Sequence, residues 1–88
     1  MNWVVRIADG AQKFIDEQSD KIRRQISHSI NQLEQDPFVG DVKPLKGKAW
    51  KGYYRKRAGD YRIIFFVHHH QRLIDVSWVV LRSEKSYR

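Results

Sequence analysis

The chain has 88 residues, a length that suits one domain spanning 1–88 around a small core. It contains no cysteine, so no disulfide or thiolate metal site staples it. No apolar run approaches the roughly 18 residues that a membrane span requires. Seventeen Lys and Arg against ten Asp and Glu leave a net charge of +7, which favours an acidic partner. The opening MNWVVRIADG is too short in its apolar part for a signal peptide, so a soluble, cytoplasmic chain is expected.

Trp3-Val4-Val5-Arg6-Ile7 is a β-prone run and reads as a first strand. Asp9 is a candidate cap for the helix that follows. Ala11, Phe14 and Ile15 stand at helical spacing and carry this helix to about Gln18. Ser19 is the expected N-cap of a second helix. Ile22, Ile26, Ile30 and Leu33 form its apolar stripe, and Asp36-Pro37 ends it because the residue before proline avoids helical backbone. The two helices read as an antiparallel hairpin. Phe38 to Lys48, with Gly40, Pro44 and Gly47, reads as a loop that Val42 and Leu45 can pin to the core. Three strands are expected next, at about Trp50–Arg57, Tyr61–His68 and Leu73–Leu81. Short turns, the first holding Gly59, make them an antiparallel meander. YRIIFFV is apolar on both faces and reads as central. The fold class is α+β, with the helices on one face of the sheet.

The basic excess is concentrated. Lys46 to Arg62 holds seven basic residues and one acid, Asp60. Such a stretch suits either a polyanion or a solvated edge that discourages strand-to-strand pairing. Alternation separates Lys51, Tyr53, Arg55 and Arg57 from Trp50, Tyr54 and Lys56. If Ile63, Phe65 and Val67 pack under the helices, Arg62 points to the open side. There it needs a carboxylate such as Asp60 or Asp75, or an anionic ligand. The third strand ends at Val79-Val80-Leu81-Arg82, which can bring Arg82 near the same region, and Tyr87 follows one short segment later. Cations interleaved with rings suit single-stranded RNA, with Arg and Lys on phosphates and rings under bases. Trp50 and Trp78 are expected to pack against the sheet, and Trp3 at its edge. His68-His69-His70 reads as a polar hairpin tip, since neighbours on a strand point opposite ways. His28 reads as solvated. No metal and no cofactor is expected.

Lys43-Pro44-Leu45-Lys46-Gly47, Tyr54-Arg55 with Arg57, Gly59-Asp60-Tyr61-Arg62-Ile63-Ile64-Phe65, Arg82-Ser83-Glu84 and a tyrosine near the C-terminus together resemble the RelE/ParE superfamily of bacterial toxins. The resemblance spans nearly the whole chain and implies the RelE-like microbial RNase fold. It implies the toxin of a type II toxin–antitoxin pair, either a RelE-like endoribonuclease (an mRNA interferase acting in the ribosome and inhibiting translation) or a ParE-like gyrase inhibitor. A non-toxic RNA-binding module is a third reading. The implied partners are a cognate antitoxin, messenger RNA and the ribosome, in a hetero-oligomeric complex that binds operator DNA through the antitoxin. Arg62, Arg82 and Tyr87 match the family's functional positions. Tyr53 and Arg55 stand where the RelE branch carries two lysines, and Lys51 lies two residues before Tyr53.

Cleavage of RNA by its own 2′-hydroxyl needs a base, an acid and stabilisation of the phosphorane. Arginine cannot be the base, with a pKa above about 12. Arg55, Arg62 and Arg82 are therefore assigned to phosphate charge. Tyr87 is favoured as base, and Lys51 or Arg55 at the leaving oxygen. Tyr53, Arg57, Lys46 and Lys48 complete the expected RNA contacts. The sequence offers no obvious carboxylate or histidine pair for the acid–base work.

Overall fold

A computed structural model describes residues 2–82. Strand β1 (Val4–Ile7) is followed by helices α1 (Asp9–Asp16) and α2 (Asp20–Gln35). Then come β2 (Val42–Pro44), a 3-10 turn (Lys48–Trp50), β3 (Tyr53–Ala58), β4 (Tyr61–His68) and β5 (Leu73–Leu81). The strands form one five-stranded sheet in the order β1-β5-β4-β3-β2. β1 runs parallel to β5, and every other pairing is antiparallel. The expected meander is thus β3-β4-β5, widened by an edge strand on each side.

Both helices pack on one face. Ala11 and Ile15 of α1 and Ile26, Ile30 and Leu33 of α2 meet Ile63, Phe65 and Val67 of β4 and Ile74, Val76 and Val79 of β5. The backbone N–H of Ile22 donates to Ser19 Oγ at 3.4 Å, capping α2 as its sequence suggests. The α1 cap differs. Ala8 occupies it without a side-chain bond, and Asp9 sits in the first turn, where its charge meets the positive end of the helix. Ala8 is fixed instead by its N–H donating to the Val76 carbonyl at 2.9 Å.

β2 arises inside the expected loop. Pro44 is tolerated there because an edge strand needs no outward N–H. Lys43 pairs with Arg55, and Leu45 N–H bonds the Tyr53 carbonyl at 3.0 Å. β3 starts later than the sequence suggests. Gly52 has φ +87°, and an added Cβ would stand 2.9 Å or less from the Phe66 ring. Only glycine fits there, and strand alternation does not run back through it to Lys51 and Trp50. The β3–β4 turn is Gly59-Asp60, with Gly59 at φ +60°. Lys56, counted in the basic stretch, faces the helices and is 2% exposed.

One irregularity governs β5. Ile64 pairs with Trp78, but the next residue, Phe65, pairs with Val76. Ser77 is the extra residue of a β-bulge. Strict alternation would put Trp78 on the helix side with Ile74 and Val76. The bulge inverts the parity. Val79 is buried against the helices at 3% exposure, and Trp78 turns to the open side at 42%.

Candidate nucleic-acid interface

Register places Lys43 of β2, Arg55 of β3 and Ile64 of β4 in one cross-sheet row, with Trp78 of β5 at its end. Arg62 stands two residues from Ile64 on the same face, opposite Arg57 on one side and Val80 on the other. This half of the open face holds a cleft of about 630 Å3. Four cations line it, Lys43, Lys46, Arg55 and Arg62, with Pro44, Leu45 and Trp50 as its apolar wall. Among the described residues, no carboxylate contributes to this lining. Arg62 Nε is shielded from solvent. Cations gathered in one concavity repel one another, and an anion relieves that repulsion. Two guanidinium groups and two ammonium groups at its wall suit phosphate oxygens.

Of the residues singled out from sequence, Arg55, Arg62 and Lys46 meet in this cleft. Lys51 and Lys48 do not. They line a neighbouring groove of about 540 Å3, together with Gly47, Gly52, Tyr53 and Tyr54, behind the loop that carries Trp50. Lys51 is therefore not one pleat along from Tyr53, because the Gly52 turn intervenes. Arg57 is exposed, and its Nε donates to the Gly59 carbonyl at 3.5 Å. Arg82 is partly buried at the end of β5, and its N–H donates to the Asp60 carbonyl at 2.8 Å. It does not line the cleft. Tyr87 lies outside the described residues. Lys43 and Trp50 belong to the cleft although neither was singled out for it. The signal for Lys43 was the strand that brings it opposite Arg55.

Beside the cleft the open face is aromatic. Tyr53 meets Phe66 at 5.0 Å between ring centroids, and Trp50 meets Tyr53 at 5.3 Å and Trp78 at 5.7 Å. Beneath these side chains Ile64 is fully buried even though it lies on the side away from the helices. Trp50 is thus part of the open face rather than of the Tyr54 and Lys56 side.

At the far end of β4, away from the cleft, a histidine and a carboxylate meet. His68 Nε2 lies 2.7 Å from Asp75 Oδ2. Arg6 donates to both oxygens of the same carboxylate, at 2.8 Å from Nε and 3.0 Å from Nη2. The Arg6 hydrogen bonds hold the Asp75 carboxyl below its usual range against the opposing effect of burial, and His68 adds to the depression. Asp75 raises Arg6 in turn. With Tyr53, Phe66 and Ser77 the pair lines a pocket of about 270 Å3. Asp75 stands opposite Phe66, well along the strand from Arg62, and so belongs to Arg6 and His68. His68 is consequently hydrogen-bonded to the carboxylate that Arg6 also holds, while His69 and His70 form the exposed hairpin tip. His28 is exposed beside Gln32.

Two helices lie on one side of this sheet, and a basic cleft lies on the other. A chain of the archaeal RelE–RelB complex from Pyrococcus horikoshii OT3 superposes with a TM-score of 0.82 at 26% identity, covering 97% of this chain and 100% of that one. A chain of the RelBE2 toxin–antitoxin complex of Mycobacterium tuberculosis gives 0.81 at 19% identity, over 93% and 100% of the two chains. The isolated Escherichia coli RelE toxin gives 0.76 at 16% identity, over 97% and 89%. The last two support the fold alone. No protein of curated function matches the sequence significantly. The family model of the ParE toxin of type II toxin–antitoxin systems (parDE) matches residues 4–86, and the chain belongs to this family. Among the described residues, no helix is long and apolar enough to cross a membrane.

Proposed function

We propose that this toxin is a metal-independent endoribonuclease that cuts messenger RNA, with the Arg55–Arg62 cleft as its phosphate site. The observation that carries this reading is the cleft itself, lined by four cations, with no carboxylate among the described residues of its lining. In the reaction the 2′-oxygen bonds to phosphorus as its proton leaves to a base, and the P–O5′ bond breaks as a proton reaches O5′. Arg55 and Arg62 hold the non-bridging oxygens, on which negative charge grows in the transition state. Lys43 and Lys46 are the cleft groups able to donate to O5′, a role that the placement of Lys51 makes less suited to that residue. Tyr87, matched by family resemblance, is the candidate base, and Arg82 a further phosphate contact. A centre with so little acid–base equipment needs its substrate bent into line, and the ribosome supplies that alignment. The P. horikoshii neighbour comes from a RelE–RelB complex, and the M. tuberculosis neighbour from a toxin–antitoxin complex. A cognate antitoxin that covers the basic face and carries operator binding fits the same pattern, as does action in the bacterial cytoplasm.

A ParE-like gyrase poison is the second reading. The family model favours it, as does a cleft with no histidine or carboxylate among the described residues of its lining. Induction of the toxin followed by pulse labelling separates the two. Loss of protein synthesis before any DNA damage is expected. DNA breaks and an SOS response with translation intact would replace the nuclease by the gyrase reading.

A further inference from the structure

We infer that Trp78, turned outward by the β5 bulge, is a stacking shelf for the nucleobase next to the phosphate held by Arg55 and Arg62; this rests on the RNA reading above. The first support is the bulge. It costs regular ladder pairing and re-aims a large apolar ring from the core side to the solvent side. Strict alternation would turn Trp78 inward, on the side of Val76. The second support is position. Trp78 stands opposite Ile64, and Arg55 is Ile64's partner on the other flank. Two strand spacings separate Trp78 from Arg55, roughly 10 Å. Arg62 lies on the diagonal from Trp78, at roughly 7–8 Å. Both separations are of the order that joins a backbone phosphate to the base of an adjoining nucleotide. The third support is bracing. Trp50, itself a wall of the cleft, meets Trp78 edge-on at 75°, and Tyr53 lies 6.1 Å away, tilted by 34°. The indole is thus held from its flanks with 42% of the residue still exposed. A ring fixed in advance loses little freedom when a base stacks on it, and stacking accepts any base because each has a π-face.

The test is the affinity of the toxin for a labelled single-stranded hexaribonucleotide, by fluorescence anisotropy. The oligomer is used intact and with one base removed at each position in turn. Trp78→Leu should weaken binding of the intact oligomer on the order of ten- to a hundredfold, while Trp78→Phe keeps most of it. The wild type should be penalised at one abasic position, and Trp78→Leu should show no such penalty there. A merely structural role would not produce that pattern. If Trp78→Leu binds as well as wild type, or keeps the abasic penalty, the shelf is refuted and the RNA reading stands. If the wild type binds no RNA at all, both fall. If Trp78→Leu binds RNA normally but no longer co-purifies with its antitoxin, the ring serves a protein partner and the shelf is again refuted.

Discussion

Replacing Lys56 with methionine should stabilise this protein. Lys56 is 2% exposed, on the helix side of β3, between Val42 and Ile63 in register. Its Nζ is buried with no hydrogen-bond partner among the described residues. Desolvation lowers its pKa, and the attraction of Asp36 opposes that only in part. An unsatisfied buried donor costs about 1–3 kcal/mol, and methionine fills similar space without one. A gain of about 1–2 kcal/mol is expected. For a domain of this size that raises Tm by about 4–16 °C. The pH dependence gives an independent check. The folded protein releases the Lys56 proton more readily than the unfolded chain does. The wild type should therefore gain stability as pH rises through the window between the lowered folded pKa and the ordinary lysine value. The methionine variant should lack that contribution, so its advantage narrows toward alkaline pH. Thermal melts of both proteins by circular dichroism between neutral pH and pH ~10 measure this. A destabilised variant whose difference from wild type does not change with pH would refute the reasoning.

Gly52→Ala should destabilise by about 1–3 kcal/mol, because φ +87° strains any side chain and the new Cβ collides with the Phe66 ring; urea midpoints read this, and an unchanged midpoint would mean that the turn tolerates a Cβ. Asp75→Asn should cost stability at neutral pH, where the depressed carboxylate is ionised and bound to Arg6 and His68. The difference from wild type should shrink as pH falls below the ordinary carboxylate range and Asp75 protonates. Melts across an acid series check the sign, and a deficit that persists at the lowest pH would point to packing instead.

Much of this fold could be read from alternation and punctuation. Tyr61–His68 and Leu73–Leu81 are the observed β4 and β5, because dense β-branched and aromatic runs there end at turns. The Ile22 to Leu33 stripe and the Ser19 cap gave α2 for the same reason. β2 escaped because Gly40, Pro44 and Gly47 look like loop residues, and it is the neighbouring β3 edge that makes Lys43 a strand residue. The β5 bulge has no mark in the local sequence. It is imposed by both ends of β5 having to keep valines against the helices, and so Trp78 read as packing. The His68–Asp75 contact spans a hairpin diagonally, so the pairing depends on a register that spacing alone does not fix. The basic stretch was legible as charge, whereas its division between cleft, groove and buried Lys56 follows from the Gly52 turn and the facing of β3.

The most direct test of the proposed chemistry is primer extension on a messenger RNA incubated with purified ribosomes and toxin, comparing wild type with Arg62→Ala and Arg55→Ala. Both arginines are partly exposed, so the variants should fold, as melts can verify. Ribosome-dependent cuts by the wild type that are lost in both variants are the predicted result. Equal cutting by well-folded variants, or no cutting by the wild type, would contradict the assignment of the Arg55–Arg62 cleft as the centre of an RNA-cleaving toxin.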